Sequence, residues 1–437
     1  MRSETIYTLV GGRVWDSAQG CLVSGLAVRI GAGQIVAVCP AEQVEKDVQA
    51  IDLSGLALVP GLIDAHVHSE EWHALFYLAN GVTTVRDTGC ALDEILDRRR
   101  RWNAAGAVAP RLVCCGPLID GPGESWAPMA VIVRTPEEAR EQVDRVVDAG
   151  VDQVKLYARL EWPCFLAALD QAKRYGKVVV AHLQEHGDAA QAIMAGVDEI
   201  EHLSGCAEAL WPERHSVGEH WRKLWPDLER DRVERLLDLI VESKTWMAIT
   251  RAVWQKIGTV WDPRHADHPQ LRYAPSPLRE WWERQYPSAM AGDMRAEWIR
   301  ALAGMRIFTS RLIERGGRIM AGSDTPFVHL MPGFSLHDEL QLLVECGMRP
   351  GQALDAATRR AAEGLGIGDS VGAIQPGKAA DLLVIDGDPA LDIRALARIK
   401  GVILGGRWLD PAVLLAEASA QAAAAWPRAE RRISDWY

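Results

Sequence analysis

Short apolar runs alternate with helical stretches between residues 58 and 371, and this alternation constrains the fold more than any other feature of the chain. It predicts a parallel sheet of βα units, because each strand is followed by a helix that crosses back to start the next strand. The eight candidate strands are Leu58–Ala65, Thr83–Arg86, Arg111–Cys115, Gln153–Leu156, Val178–Ala181, Glu199–Glu201, Trp246–Ile249 and Arg318–Ala321. Eight such units fit an α/β fold of the (β/α)8 TIM-barrel type with insertions. A doubly wound sheet is the alternative, but no GxGxxG sequence follows any of these runs.

The two ends of the chain share a different pattern, in which short strands are separated by glycine-rich turns. The segment from Gly11 to Asp16 (GGRVWD) has a near echo from Gly405 to Asp410 (GGRWLD). Each end alone supplies too little core for a stable sheet, so we expect both ends to form one small β-sandwich domain. A coincidence between two hairpins is the alternative. The predicted division is residues 1–57 with 372–437, including a C-terminal tail, and residues 58–371 for the barrel.

Composition and charge exclude several classes of partner. The chain has 437 residues and a formal net charge of −11, which argues against nucleic acid or an anionic membrane as the main partner. No apolar run approaches a membrane span, and the N-terminus lacks the layout of a signal peptide. The eight cysteines are scattered without a CxxC pair, so we expect reduced thiols. We predict a cytoplasmic protein with a small-molecule substrate, and the alanine-rich tail suggests a contact between subunits of a homo-oligomer.

An insertion from about residue 208 to residue 298 carries nine of the 17 tryptophans. Helices that pack these aromatic side chains against the barrel would explain the enrichment. An apolar lid over a pocket would also explain it, because aromatic side chains dominate the walls of small-molecule sites. The sequence leaves both interpretations open.

Side chains with useful chemistry follow the predicted strands, at the points where the apolar runs end. His66 and His68 end the first strand, and because strand side chains alternate, both imidazoles leave the same face. The carboxyl ends of barrel strands converge on one mouth, where catalytic groups collect. The candidate metal ligands at these ends are His66, His68, Lys155, His182, His202 and Asp324. Any one of them could be a structural polar residue, but six in the same position favour a metal site.

These residue types suit a site with one or two divalent ions. Imidazole and carboxylate groups bind zinc, our first expectation, and also manganese, cobalt and iron. Burial among cations would lower the pKa of Lys155, and the neutral amine could then add carbon dioxide and become a bridging carbamate. Two ions about 3.5–4 Å apart would hold a hydroxide and polarise a carbonyl group. Asp324 would take the proton of that hydroxide and pass it to a leaving amine.

Seven segments carry a family resemblance that runs nearly from end to end. They are PGLIDAHVH (Pro60–His68), GVTTVRDTG (Gly81–Gly89), VKLYARL (Val154–Leu160), VVVAH (Val178–His182), GVDEIEHLSG (Gly196–Gly205), AGSDTP (Ala321–Pro326) and GAIQPGKAADLLVIDGDP (Gly372–Pro389). In these segments the chain resembles the amidohydrolase superfamily of metal-dependent hydrolases, in its imidazolonepropionase-like and prolidase-like branch. The resemblance implies a (β/α)8 barrel flanked by a β-sandwich. It also implies a ligand set of His66, His68 and Asp324 on one ion, carboxylated Lys155 as the bridge, and His182 and His202 on the second ion.

Residues just beyond the predicted strand ends are candidates for substrate contact. Tyr157 could donate a hydrogen bond to the oxyanion of a tetrahedral intermediate, which makes it a candidate catalytic residue beside Asp324. An arginine could pair with a substrate carboxylate through its planar fork. The candidates are Tyr157, Arg159, Arg251 and His329, although ordinary surface packing explains each of them equally well.

Three functions remain open at this point. The first is a hydrolase with a binuclear metal centre that cleaves the amide bond of a small molecule, such as a dipeptide or an N-acyl amino acid, by a metal-activated hydroxide. The second is a mononuclear deaminase or a cyclic-amide hydrolase of the imidazolone type, in which Glu185 would move protons. A lysine at the end of the fourth strand favours the first of these. The third is a non-catalytic scaffold, which the presence of all six ligand positions disfavours.

Overall fold

The computed structural model describes residues 6–44, 49–123, 126, 128–216, 220–285 and 292–433. The strands are β1 (Tyr7–Val10), β2 (Arg13–Asp16), β3 (Cys21–Val23), β4 (Leu26–Gly31), β5 (Gln34–Pro40), β6 (Ala50–Asp52), β7 (Ala57–Pro60), β8 (Leu62–Val67), β9 (Val82–Asp87), β10 (Arg111–Cys114), β11 (Leu118–Asp120), β12 (Ala130–Ile132), β13 (Val154–Leu156), β14 (Val179–Ala181), β15 (Glu199–Glu201), β16 (Trp246–Ala248), β17 (Arg318–Met320), β18 (Leu382–Ile385), β19 (Ile399–Leu404) and β20 (Arg407–Leu409). The helices are α1 (Ala74–Ala79), α2 (Leu92–Trp102), α3 (Pro136–Asp148), α4 (Trp162–Arg174), α5 (Ala189–Ala195), α6 (Cys206–Leu210), α7 (Pro212–His215), α8 (Trp221–Leu224), α9 (Arg230–Glu242), α10 (Arg251–Gly258), α11 (Pro263–Ala266), α12 (Ser276–Gln285), α13 (Gly292–Glu314), α14 (Phe334–Glu345), α15 (Pro350–Ala356), α16 (Arg359–Gly364) and α17 (Pro411–Ile433).

Two parallel sheets form the centre of the fold. One has the strand order β10-β9-β8, and the other has the order β12-β11-β13-β14-β15-β16-β17. The pairs within both sheets are parallel. Backbone hydrogen bonds also join β8 to the segment after β17, from Ala65 N to Ala321 O at 2.9 Å and from Asp324 N to His66 O at 2.8 Å. The centre of the chain is therefore α/β with parallel strands, as predicted, and these bonds hold the end of β8 beside the end of β17.

The predicted strands can be compared with the observed ones directly. The seven later strands are confirmed, and each of their ends lies within one residue of the prediction. The single strand predicted over Leu58–Ala65 is wrong, because this run forms β7 and β8. Gly61 separates them, since its N–H donates to Asp381 O at 2.8 Å and a Cβ at this position would collide with the side chain of Thr83. The chain therefore leaves one sheet and enters another at Gly61.

Burial explains why these runs form strands and why the helices cover them. All residues of β8 and β9 are buried, as expected for parallel strands that are covered on both faces. In α3, the buried residues Ala139, Val143 and Val146 recur at helical spacing on one face. Thr135 caps this helix, and its hydroxyl accepts a hydrogen bond from Glu138 N at 3.2 Å. The capped end and the buried face together define α3 over Pro136–Asp148.

Strands from both ends of the chain meet in one mixed sheet with the order β20-β19-β18-β7-β2-β3. A neighbouring sheet, in the order β5-β4-β1-β6, comes from the N-terminal strands. Hydrogen bonds join the two ends at several points, including Ile35 N to Lys378 O at 2.9 Å and the Tyr7 hydroxyl to Gly406 O at 2.9 Å. The two echoing segments of the sequence contain β2 and β20, so both belong to the same sheet.

The tryptophan-rich insertion contains helices α7 to α12 and the start of α13, with residues 217–219 and 286–291 outside the described ranges. Three of its tryptophans, Trp225, Trp281 and Trp282, are buried in the hydrophobic core. Three others, Trp221, Trp254 and Trp298, line a cavity. The insertion therefore combines the two roles that the sequence left open, core packing and a pocket wall.

The C-terminal tail forms α17, and its residues after Ile433 lie outside the described part of the chain. Leu414, Ala418 and Ala422 are buried at a spacing of four, so one face of this helix packs against the protein. Among the described helices, including this long one, none is long and apolar enough to cross a membrane.

Candidate metal centre

The strand ends bring all six predicted metal ligands to one cavity. These residues lie in or shortly after five parallel strands: His66 and His68 at β8, Lys155 at β13, His182 at β14, His202 at β15, and Asp324 after β17. All six line a cavity of about 430 Å³. A volume of this size accommodates a small organic molecule.

His66, His68 and Asp324 form one compact group of ligand atoms. Nε2 of His66 lies 3.3 Å from Oδ1 of Asp324, and Nε2 of His68 lies 3.4 Å from the same oxygen. Asp324 Oδ1 is nevertheless buried without a hydrogen-bond partner among the described residues. Two imidazole nitrogens close to an unpartnered carboxylate oxygen are a donor set that suits a divalent ion.

His182, His202 and Lys155 form a second group beside the first. The ring centroids of His182 and His202 lie 4.8 Å apart, and His202 Nδ1 lies 3.7 Å from Asp324 Oδ2. Nδ1 of His182 is also buried without a hydrogen-bond partner in the described ranges. Lys155 is only 1% exposed. Unpartnered polar atoms in such a buried position are unusual, and a bound ion is one explanation for them.

Glu201 belongs to this cluster, although we did not predict it from the sequence. Its Oε1 lies 2.8 Å from Nδ1 of His66, and its Oε2 contacts Nζ of Lys155. Glu199 and Glu201 alternate with the apolar Ile200 along β15, and all three residues are buried. Two acidic residues within a fully buried strand are a signal that could have identified Glu201, because buried carboxylates need a partner.

Arg86 is that partner, and it lies beneath the cluster. Its Nη1 donates to Glu199 Oε2 at 2.6 Å, and its Nη2 lies 3.3 Å from Glu201 Oε1. Its Nε donates to Ala65 O at 2.7 Å, directly before His66 in the chain. Arg86 therefore joins the buried carboxylates of β15 to the strand that carries the first two histidines.

Burial controls the protonation of the cluster. It lowers the pKa of His182 to about 3, with the Lys155 ammonium adding to the effect, and it lowers the pKa of His66 and of His202. Burial also lowers the pKa of Lys155 to about 7. Burial alone would raise the pKa of Asp324, but the interaction of the carboxylate with His66 and His202 holds that pKa well below its usual value. The cluster thus favours neutral imidazoles and an ionised carboxylate, which are the states that bind metal ions.

The backbone is unusual at two residues of the cavity wall, His202 and Asp324, and at Leu203, which follows His202 in the chain. His202, Leu203 and Asp324 have φ values of 62°, 57° and 60°, in the left-handed region that non-glycine residues rarely adopt. Such conformations cluster at functional sites, where the surrounding structure holds them. Gly322 comes close to β8, and a Cβ there would lie 2.7 Å from the Cβ of His66. The Gly322-Ser323 loop therefore lies close to the strand that carries His66.

The four predicted substrate contacts divide into two pairs. Tyr157 and Arg159 line the cavity, and the Tyr157 ring centroid lies 4.9 Å from that of His182. Arg251 and His329 are not among the residues that line it. Arg251 is buried beside Glu339 and Cys346, and the ring of His329 lies 5.7 Å from that of Trp282. Substrate contact by Arg251 or His329 stays a prediction that no contact in the described structure supports.

Aromatic side chains form most of the remaining cavity wall. Besides the tryptophans of the insertion, Trp126 and Phe327 line it, and their ring centroids lie 5.9 Å apart. Arg222, also on the wall, lies over the rings of Trp221 and Trp298 at 5.7 and 5.1 Å. We did not predict these three residues, because they lie in loops or short helices and no strand pattern marks them.

The Amidohydrolase family matches residues 57–409 of this chain. The match spans well over half of the sequence, so the chain belongs to the amidohydrolase family. No curated protein matches the chain. Membership makes the protein a hydrolase that acts on carbon–nitrogen bonds, in a family that binds divalent metal ions and has a TIM-barrel fold.

Solved structures agree with this assignment. A putative prolidase from Bifidobacterium longum is 25% identical with a TM-score of 0.72, and the match covers 95% of this chain and 99% of that one. A Xaa-Pro dipeptidase with methionine bound in its active site is 21% identical with a TM-score of 0.70, over 93% of this chain and all (100%) of that one. Bottromycin amidohydrolase is 22% identical with a TM-score of 0.75, over 95% of this chain and 90% of that one. The predicted relationship to prolidase-like amidohydrolases is confirmed.

Proposed function

We propose that this protein hydrolyses the amide bond of a small molecule, a dipeptide or an N-acyl amino acid, at a centre of two divalent ions, with zinc the first candidate. One observation carries the proposal. Ligand atoms of His182 and Asp324 lie in one cavity with the four other candidate ligands, and they are buried there without hydrogen-bond partners in the described structure. The similarity to a putative prolidase supports the peptide-like class of substrate.

The ligand set divides between the two groups of the cavity. His66, His68 and Asp324 would hold one ion, His182 and His202 would hold the other, and Lys155 would bridge them as a carbamate. The burial of Lys155 supports this role, because a neutral amine is the form that adds carbon dioxide. Bound ions would supply Lewis acidity, which makes a water more acidic and polarises the substrate carbonyl.

The protein's own side chains would carry the remaining steps. Asp324 would accept a proton from the attacking water and hand it to the nitrogen of the leaving amine, as its position between three histidines supports. Tyr157, on the cavity wall, would donate a hydrogen bond to the oxyanion of the tetrahedral intermediate. Arg159 would pair with a substrate carboxylate, and the tryptophan wall would hold an apolar group and exclude water.

We further propose that the hydrogen bonds between β8 and the segment after β17 close the parallel strands into a (β/α)8 barrel. The sheets that join both chain ends would then be the composite β-sandwich domain. Under this proposal Ala57–Pro60 belongs to the smaller domain, because β7 pairs with β18. A homo-oligomer and a cytoplasmic location stay predictions, and the eight free cysteines are consistent with a reducing compartment.

Metal removal is the test of the proposed function. Chelation of the purified protein is expected to abolish hydrolysis of dipeptides and N-acyl amino acids, and zinc is expected to restore it at about two ions per chain. The measurements are metal analysis and the release of free amino acid. A cyclic amide and an amine substrate for deamination serve as comparison compounds. Ammonia release from the amine, without any amide cleavage in the dipeptides, would reject the proposal.

The mononuclear alternative depends on Glu185, and its surroundings disfavour it. Its Oε1 lies 3.1 Å from Nε of Arg159, its side chain is 46% exposed, and it is not among the residues that line the cavity. Glu185→Gln is therefore expected to change kcat/KM by less than about threefold, since a partly exposed ion pair contributes little. Asp324→Asn is the matched change of carboxylate to amide inside the cavity, and it is expected to abolish turnover. A large loss in Glu185→Gln together with a single bound ion would instead favour the deaminase.

A further inference from the structure

A second, smaller cavity lies beside the metal centre and contains a carboxylate that the proposed mechanism does not use. Its volume is about 30 Å³. It shares five lining residues with the main cavity, which are His182, Gln184, His202, Trp221 and Trp254. Glu208 of α6 lines this smaller cavity and not the main one. A molecule bound at the metal centre can therefore extend a small group towards Glu208.

The carboxylate of Glu208 lacks a cation. The residue is only 4% exposed, and its hydrogen bond comes from its own backbone N–H. Within the described ranges, no lysine, arginine or histidine forms an ion pair with it. Burial raises the pKa of Glu208 to about 8, and the like charge of a second carboxylate, Asp188, adds to this effect. A buried carboxylate without a partner is costly, so near neutral pH this side chain is largely protonated, and a cation from outside the chain would displace the proton and pair with the ionised carboxylate.

Three indole rings surround the same space. Trp221, Trp225 and Trp254 line the cavity, and the ring centroids of Trp221 and Trp254 lie 5.0 Å apart. Indole faces attract cations, most strongly where water is excluded. Arg222 does not neutralise Glu208, because its Nε pairs with Glu297 at 2.8 Å and its guanidinium lies over Trp298.

We propose that Glu208 and these three tryptophans form a subsite for a primary ammonium group on the acyl half of the substrate. A cavity of this volume holds about two water-sized groups, which fits an ammonium group and one carbon atom. The inference rests on the proposed amide hydrolysis and makes it more specific. Of the two substrate classes, it selects dipeptides with a free amino terminus over N-acyl amino acids, which have no ammonium group to place beside Glu208.

A pair of ligands that resist hydrolysis tests the subsite without turnover. The two are phosphinate analogues of one dipeptide, identical except that one carries the terminal ammonium group and the other carries hydrogen there. Calorimetric titration of the zinc-loaded protein is expected to give at least about tenfold tighter binding of the ammonium form. In Glu208→Gln, which keeps the side-chain volume but removes the charge, the ratio of the two affinities is expected to fall to near one.

Two further variants separate charge from folding. Glu208→Asp keeps the charge and is expected to retain a preference for the ammonium form. Glu280→Gln makes the same change at an exposed position of the insertion and is expected to behave as the unmodified protein. Thermal unfolding of each variant is the folding control. If a variant does not fold, the difference in affinity between the two ligands on the unmodified protein still tests the subsite.

The possible failures are distinguishable. Equal affinity for both ligands in the unmodified protein, or an undiminished preference in Glu208→Gln, overturns the subsite alone. In that case hydrolysis of dipeptides and N-acyl amino acids at similar rates leaves the proposed function in place. If neither ligand binds the zinc-loaded protein and no dipeptide is cleaved, the proposed function fails and the subsite fails with it.

Discussion

Replacing Lys155 with alanine is expected to lower the metal content from about two ions per chain to about one or none, with a loss of kcat/KM of at least about 10²–10³-fold. Lys155 is buried in the middle of the ligand cluster, in contact with Glu201 and close to the ring of Tyr157. Alanine cannot carry a carbamate, so the proposed bridge between the two groups of histidines would be lost. The measurements are metal analysis and dipeptide hydrolysis on the same preparation.

Controls separate loss of the bridge from loss of the fold. Lys155→Met keeps most of the side-chain volume and is expected to lose metal and activity as the alanine variant does. Lys173→Ala removes a partly exposed lysine that pairs with Asp198, and it is expected to retain both ions. A short carboxylate such as formate, added to Lys155→Ala, is expected to restore part of the activity by occupying the position of the carbamate. Two ions and full activity in Lys155→Ala would contradict the binuclear centre.

The sequence was sufficient to predict that the six candidate ligands converge on one cavity. His66, His182 and His202 each lie at or directly after the end of a predicted strand, and parallel strands place such ends together. The convergence of these residues was predictable because the alternation of side chains along a strand and the positions of strand ends are local properties of the sequence. The error at Leu58–Ala65 has a different origin. A continuous apolar run does not reveal that Gly61 passes from one sheet to another, since this depends on its contact with Asp381, far away in the chain.

The walls and the support of the site were harder to predict, because they depend on tertiary contacts. In the segment GVTTVRDTG, nothing in the sequence shows which residue Arg86 pairs with. Its partner Glu199 lies on β15, and the tertiary structure brings the two side chains together. Trp126 and Arg222 lie outside any periodic pattern, so their place on the cavity wall follows from the path of loops. Arg251 was chosen for its position after a strand, yet its side chain lies buried beside Glu339. Position after a strand identified six residues that line the cavity, but it did not give the direction of side chains in the longer loops.

Replacing Arg86 with methionine is expected to reduce the free energy of unfolding by about 3–5 kcal/mol, the cost of removing one partner from a buried charge pair. Both Arg86 and Glu199 are fully buried, so the remaining carboxylates on β15 would have neither water nor a cation. Denaturation by urea, followed by circular dichroism, measures the change. Arg315→Met is the matched control, because it breaks a partly exposed pair with Glu234 and is expected to cost at most about 1 kcal/mol.

The same substitution also tests whether the buried network supports the metal centre. Arg86 holds Glu201, which contacts both His66 and Lys155, so its loss is expected to weaken metal binding by about 10–100-fold. Glu199→Gln combined with Arg86→Met removes charge from both sides of the pair, and it is expected to cost less than the sum of the two single changes. Unchanged metal affinity in Arg86→Met, measured by competition with a chelator, would mean that the network stabilises the strands alone. If metal affinity and stability fall together, the positions of His66 and Lys155 depend on the ion pair between Arg86 and Glu199, although neither His66 nor Lys155 is part of that pair.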